Sequence, residues 1–330
     1  MSLEEHPFAP FIRTVGRGRH GGRSLTREEA QQALAAMLSG ACAPEQIGAL
    51  LMLMRMRGET PEEIAGFVQA ARDNLQVPPA SFTLDWPSYA GKRRHLPWFL
   101  LAAKLLARKD RRILLHGADP EGSGRLGISE SVQALSIPTC DDLSTCAHGT
   151  APLVFLPLAQ LAPTLHGLLG LRRLLGLRSP IHTTVRMLNP LKAEWSLQSV
   201  FHPNYIDLHV AATQQLQDPR VLVMKGDAGE FEHDPTRPTR IALVREHRAA
   251  EQTWAPILTQ TFGAPRERPP IRHLCAVWDG SAEDPVGVAT IESTCAIILH
   301  ALDGLDPWTA RAEAHRLWQD RLPCAHAMPD

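Results

Sequence analysis

Aromatic side chains are scarce in this chain, 5% of residues with only two tyrosines, and no apolar run is long enough to cross a bilayer. The stretch from Ala151 to Leu161 is among the longest, falls short of the roughly 20 residues a span needs, and contains prolines, so no membrane insertion is expected. Six cysteines (Cys42, Cys140, Cys146, Cys275, Cys295, Cys324) never form a CxxC pair, which removes the usual zinc-site and redox-dithiol readings. His300, His315 and His326 lack metal-ligand spacing as well. With Glu4 and Glu5 ahead of any apolar run, the N-terminus does not read as a secretory signal, and a reduced, cytoplasmic protein is expected. An excess of one charge is also missing. The 34 Lys and Arg against 35 Asp and Glu leave a formal net charge of −1, which excludes a uniformly basic nucleic-acid binder. Any grip on phosphates must come from local clusters.

What is present is aliphatic. Hydrophobic residues make up 44% of the chain, enough for an α/β core and too many for a disordered one. In Thr26-Arg27-Glu28-Glu29 a capping Thr followed three residues later by Glu opens a helix, with Ala30, Ala33, Leu34, Met37 and Leu38 at helical spacing. Thr60-Pro61-Glu62-Glu63 repeats the device, and Pro44 to Arg57 predicts a helix between them, stopped by Gly58. A break near Val77-Pro78-Pro79 is the expected domain boundary. Beyond it, β-type runs at 112–115, 153–156, 221–224 and 240–244 alternate with helical segments, and the Leu-rich stretch Leu158 to Leu177 predicts one or two helices.

Basic residues fall into three groups. Arg13, Arg17, Arg19, His20 and Arg23 lie in a Gly-rich stretch; Lys92, Arg93, Arg94 and His95 are contiguous; Arg172, Arg173, Arg178 and Arg186 flank a helix and loop. Arginines among glycines can follow a phosphate backbone, and Tyr89 or Trp98 could stack on bases. Each group taken alone also reads as solvated surface, and the run Lys104 to Arg112 reads as the end of a helix. His116, after an apolar strand, reads as a packed, hydrogen-bonded histidine, and His182 and His202 as polar lining.

The strings Leu25 to Ala30 and Leu53-Met54-Arg55-Met56-Arg57-Gly58-Glu59-Thr60-Pro61-Glu62-Glu63-Ile64-Ala65-Gly66, with His116-Gly117, Leu171 to Arg178 and Asn189-Pro190, resemble anthranilate phosphoribosyltransferases. The resemblance implies an α/β fold of the nucleoside phosphorylase/phosphoribosyltransferase-like type, glycosyltransferase family 3. A small all-helical N-terminal domain, residues 1–78 with part of 158–178 packed on it, would carry dimerisation. Residues 79–330 would form a larger α/β domain with a central mixed sheet. Phosphoribosyl pyrophosphate and Mg²⁺ would bind in the cleft between them.

At three places the substrate motifs of that family are replaced. Its glycine-rich phosphate loop reads Ser88-Tyr89-Ala90-Gly91-Lys92, with Lys92 at the acidic position; the hydroxyl-rich string after it reads Leu96-Pro97-Trp98-Phe99. A second phosphate motif reads Leu115-His116-Gly117-Ala118-Asp119, where an acid replaces an arginine. The acidic metal loop reads Lys225-Gly226-Asp227-Ala228-Gly229-Glu230-Phe231-Glu232, which leaves Asp227, Glu230 and Glu232 as weak metal candidates. Other strings, Gly16 to Arg19, Pro87 to Arg93, Gly176 to Arg186, Ser199 to Ile206 and Lys225 to Glu230, are similar to the YbiB-type branch, whose members keep the fold and bind nucleic acid.

The expectation is therefore a homodimer binding DNA or RNA with little sequence preference, without catalytic residues or cofactor. Arg17, Arg19, Lys92, Arg93, Arg94, Arg178 and Arg186 would meet phosphates, and Tyr89, Gly91, His116, Gly117 and His182 would line the former substrate cleft. The enzymatic alternative is a phosphoribosyltransferase using Mg²⁺, with Arg178 near the acceptor carboxylate. A pure protein-interaction scaffold is a third reading.

Overall fold

A computed structural model describes residues 4–18, 21–120, 124–260 and 265–322. Four helices come first: α1 (Ala9–Gly16), α2 (Arg27–Leu38), α3 (Pro44–Arg57) and α4 (Pro61–Asp73). Both capping boxes form. Thr26 Oγ1 accepts from Glu29 N at 3.2 Å while Glu29 accepts from Thr26 N at 2.9 Å, and Thr60 and Glu63 do the same at 3.3 and 3.0 Å. Pro44 and Pro61 occupy the first helical turn, where a missing N–H costs nothing.

The remaining elements, in chain order, begin with β1 (Leu84–Ser88), α5 (Phe99–Ala107), β2 (Ile113–Gly117), α6 (Ile128–Ala134), α7 (Leu143–His148) and β3 (Leu153–Pro157). Three short helices follow, α8 (Leu158–Leu161), α9 (Pro163–Gly170) and α10 (Arg172–Leu175), then α11 (Ile181–Thr184), β4 (Trp195–Val200), α12 (Tyr205–Leu216) and β5 (Arg220–Lys225). The chain closes with β6 (Thr239–Arg245), β7 (Arg248–Trp254), α13 (Arg272–Asp279), α14 (Pro285–Asp303) and α15 (Pro307–Gln319). The Leu-rich segment thus holds three helices rather than one or two, because Pro163 restarts the chain after Ala162. Three strands, β1, β4 and β7, lie outside the runs that the sequence pattern marks.

The sheet is mixed, in the order β3-β2-β1-β4-β5-β6-β7. The first five of these strands run parallel and β6 and β7 antiparallel. One core under the sheet joins Trp86, Phe99, Phe155 and Phe231 to Ile291, Ile297 and Ile298 of α14. A second core joins Leu34, Leu50 and Phe67 of the N-terminal helices to Leu114, Leu156, Leu165 and Leu168, so α9 packs in the same apolar cluster as the helices. Contrary to the expectation that every apolar run is too short, α14 alone among the described helices is long and apolar enough to cross a membrane, but it is 67% buried here and serves as a core helix.

Candidate anion-binding crevice

Strand β1 has β2 on one side and β4 on the other, so successive connections leave it in opposite directions; in open α/β sheets such a switch opens a crevice at the carboxyl ends of the strands. The β1–β4 ladder pairs only Leu84 with Trp195 and Asp85 with Ser196. The two strands then part, and Pro87, which has no N–H to give, lies beyond the pairing. Into this gap come the loops after β1 (Tyr89 to His95), β2 (from Ala118), β4 (Phe201 and His202) and β5 (Gly226 to Glu232).

The floor of the crevice is a buried polar chain. Asp85 Oδ1 lies 3.0 Å from His116 Nε2, His116 Nδ1 is 2.7 Å from the Tyr89 hydroxyl, and Ser196 Oγ donates to Asp85 Oδ2 at 3.0 Å. His116 is thus the packed, hydrogen-bonded residue expected. Burial, with the Asp85 charge behind it, pushes the Tyr89 phenol well above its ordinary pKa, so Tyr89 stays a neutral wall residue. Gly117 fits because a Cβ there would fall 2.0 Å from Ser88 O. Gly91 has φ +64° and packs against Pro120, and both constraints demand glycine.

Arginines line the walls. Two hollows of about 120 and 290 Å³ share Arg178 and His182; Arg55 and Arg186 border the first, Tyr89 and Arg172 the second. Arg178 makes no hydrogen bond or ion pair among the described residues and lies 5.9 Å from the Phe201 ring. Burial pulls its pKa down to about 10, helped by the charges of Arg186, Arg172, Arg125 and Arg55. Arg186 donates to His182 O at 2.5 Å and lies 5.8 Å from the Tyr89 ring. Burial, then Arg186 and Arg178, hold His182 near a pKa of about 3, so it is neutral where it borders both hollows. Arg55 bonds the Tyr205 hydroxyl at 2.5 Å, with Glu59 3.7 Å away. A desolvated guanidinium surrounded by others is a site that an anion stabilises.

Lys92 departs from its expected role. It is 1% exposed, and its ammonium bonds Asp227 Oδ2 at 2.7 Å and Glu232 Oε1 at 2.6 Å. Burial alone would lower its pKa, but the two carboxylates outweigh burial and raise it. Lys92 is spent inside the protein and is withdrawn from the set of phosphate contacts. The same ammonium engages two of the three weak metal candidates. The third, Glu230, accepts from Ala90 N at 2.7 Å and Gly91 N at 2.6 Å.

Other members of the basic groups are scattered around the rim. Arg93 and Arg94 at the crevice loop and Arg17 after α1 are exposed and have no ion pair among the described residues. Arg19 and His20 lie outside the described residues. In the first basic group Arg13 pairs with Glu5 and Arg23 with Glu29, so part of that charge is neutralised locally. Sequence reasoning missed Arg55, Arg125 and Arg268. Arg125 donates to Ala90 O and Gly91 O at 3.3 and 3.1 Å, and Arg268 to Lys92 O at 3.3 Å. Arg55 was visible only as part of the helical string; nothing local marks it as a crevice residue.

Residues 9–75 match the helical bundle domain of the glycosyl transferase family. The chain is 29% identical to YbiB of Escherichia coli over 72% of this chain and 76% of that one. It is 30% identical to the anthranilate phosphoribosyltransferase of Brevibacillus brevis, over 69% and 68% respectively. The chain belongs to the anthranilate phosphoribosyltransferase family. Solved members from Thermus thermophilus (TM-score 0.72, 19% identity, 94% of this chain and 95% of that one) and Saccharomyces cerevisiae in complex with PRPP and Mg (TM-score 0.75, 12%, 95% and 94%) share the fold. The names of these enzymes speak of phosphoribosyl transfer and not of nucleic acid.

The family's magnesium can be tested against the residues here. A divalent ion on Asp227 or Glu232 would sit about 3 Å from the Lys92 ammonium, a repulsion of roughly 5 kcal/mol for each unit of its charge at an effective dielectric of about 20. Among the described residues no group of three or more His, Cys, Asp or Glu could hold a metal. The Ala90 and Gly91 amides, on the loop that meets pyrophosphate by the resemblance, already carry the Glu230 carboxylate. The residues present do not fit the metal.

Proposed function

We propose that this chain is a nucleic-acid-binding member of its family, a cytoplasmic homodimer that grips the phosphate backbone of DNA or RNA with low sequence preference. The observation that carries this reading is the unpartnered Arg178, desolvated among Arg186, Arg172, Arg125 and Arg55. Phosphates entering the crevice would supply the missing counter-charge, and Arg93 and Arg94 at the rim extend the track. Anisotropy of a labelled oligonucleotide of about 30 nucleotides tests it: about four phosphates neutralised give a slope near −3 for log K against log salt on a single strand. Absence of binding at about 50 mM salt, or affinity indifferent to salt, would overturn the reading.

A second reading is phosphoribosyl transfer to anthranilate or a related acceptor, with Arg178 facing the acceptor carboxylate. The names of the relatives and structural neighbours back this reading better than nucleic-acid binding. Against it stands the engagement of Asp227, Glu232 and Glu230 inside the protein. Mg²⁺-dependent release of pyrophosphate from phosphoribosyl pyrophosphate by the purified chain, abolished in Arg178→Ala, would establish it over the first.

A further inference from the structure

We propose that Lys92 is a built-in substitute for a divalent cation: its ammonium clamps the loop after β1 to the loop after β5, holding the crevice in shape with no metal bound. Removing that ammonium uncovers a pair of carboxylates able to hold a metal. The ammonium has three protons and meets three acceptors, Asp227 Oδ2 at 2.7 Å, Glu232 Oε1 at 2.6 Å and Asp227 O at 3.3 Å. Glu232 is fixed from its other oxygen, which accepts from Phe99 N at 2.8 Å at the start of α5. Glu230 adds a second stitch between the same loops through Ala90 N and Gly91 N. One point in space is therefore shared by two carboxylate oxygens at distances close to the oxygen shell of about 2.3–2.6 Å around a flexible divalent cation, with a carbonyl farther out at 3.3 Å.

Burial makes the arrangement obligatory rather than incidental. Lys92 and Glu232 are each 1% exposed, and taking one partner from a buried ion cluster leaves the other charges stranded. The inference concerns the clamp and holds whichever anion the crevice takes, so its failure is separate from failure of the nucleic-acid reading.

The test uses the full chain, stripped with EDTA, in wild-type and Lys92→Ala forms, followed by thermal melting and by Mn²⁺ titration with electron paramagnetic resonance. Wild type is expected to melt at one temperature with EDTA or with about 1 mM MnCl₂, and to bind no Mn²⁺ at a saturable site. Lys92→Ala is expected to melt lower by roughly 5–10 °C, to bind about one Mn²⁺ per chain, and to recover part of the loss with it. A variant that folds only with Mn²⁺ present supports the proposal too. Saturable Mn²⁺ binding by wild type would overturn it, as would a Lys92→Ala chain that melts like wild type, or one that neither folds with Mn²⁺ nor binds it.

Discussion

Among the described residues Arg178 has no acid to pair with, whereas elsewhere Arg72 and Arg111 each hold one and Arg240 holds two. Arg178→Ala should weaken oligonucleotide binding roughly tenfold and shrink the salt slope by about 1, with melting temperature unchanged; equal affinity in the anisotropy titration would remove Arg178 from the site. Buried histidines give a second prediction. Burial first, then nearby cations, holds His182 and His209 at about 3, and burial holds His233 at about 4. An imidazole depressed in the fold contributes stability that is whole above its unfolded value of 6.5 and drains as pH falls toward those values. Glu232, pushed up to about 7 by burial with Lys92 pulling the other way, works in the opposite direction between 7 and its unfolded 4.5. Burial raises Glu63 and Glu292 in the same sense as Glu232, but the three imidazoles outweigh these carboxyls over this range and make the chain less stable at pH 5 than at pH 7.5; a urea midpoint that holds or rises on acidification would contradict the assignment. Lys92 was legible as a replaced residue and illegible as an internal one. Its partners Asp227 and Glu232 lie 135 and 140 positions away, and a charge's sign says nothing about which way it turns.

The N-terminal helices were readable almost to the residue, since α2, α3 and α4 begin where Thr26, Pro44 and Thr60-Pro61 place them. Strands β1 and β4 were not, and the reason is chemical. Asp85, Pro87, Ser196, Gln198 and Ser199 break the apolar run of a central strand because they serve the crevice instead of the core. Strand β7 is an exposed edge rich in polar side chains and gives no apolar signal. Two substitutions test how the helices are tied together. Glu63, buried, accepts from Thr60 N and, at 2.9 Å, from Leu25 N, which joins the start of α4 to the turn before α2. Glu63→Ala leaves two N–H groups without acceptors and should cost roughly 2–5 kcal/mol by urea unfolding; a loss under about 1 kcal/mol would mean that water replaces the carboxylate. A Cβ at Gly66 would lie 2.2 Å from Arg27 O and 2.8 Å from Ala30 Cβ, so Gly66→Ala must push α4 off α2. The expected result is a drop of several kcal/mol or an insoluble chain, and a variant melting like wild type would place the helices farther apart than they are here.

At the scale of the whole molecule a net charge of −1 conceals an uneven distribution. Lys109 pairs with Glu313, Arg111 with Asp303, and Arg240 with Asp207 and Glu251, so acids on the flanks cancel bases there. Arg178 in the crevice, with Arg93 and Arg94 at its rim, has no such acid among the described residues, which is why composition alone argued against a basic binder more strongly than the side chains do. Exposed Leu174 and Leu177 sit at and just beyond α10, beside the helical part to which the resemblance assigns dimerisation. Light scattering is expected to give twice 36.3 kDa, and Leu174→Asp to move the mass toward the monomer; a monomeric wild type would refute the proposed homodimer. The gap between β1 and β4 has a consequence of its own. It is opened by main-chain divergence after Asp85, not by small side chains, so exchanging wall residues cannot seal it. Such an aperture outlives its original occupant: the lining can be rewritten for a new guest while the doorway stays where the backbone put it.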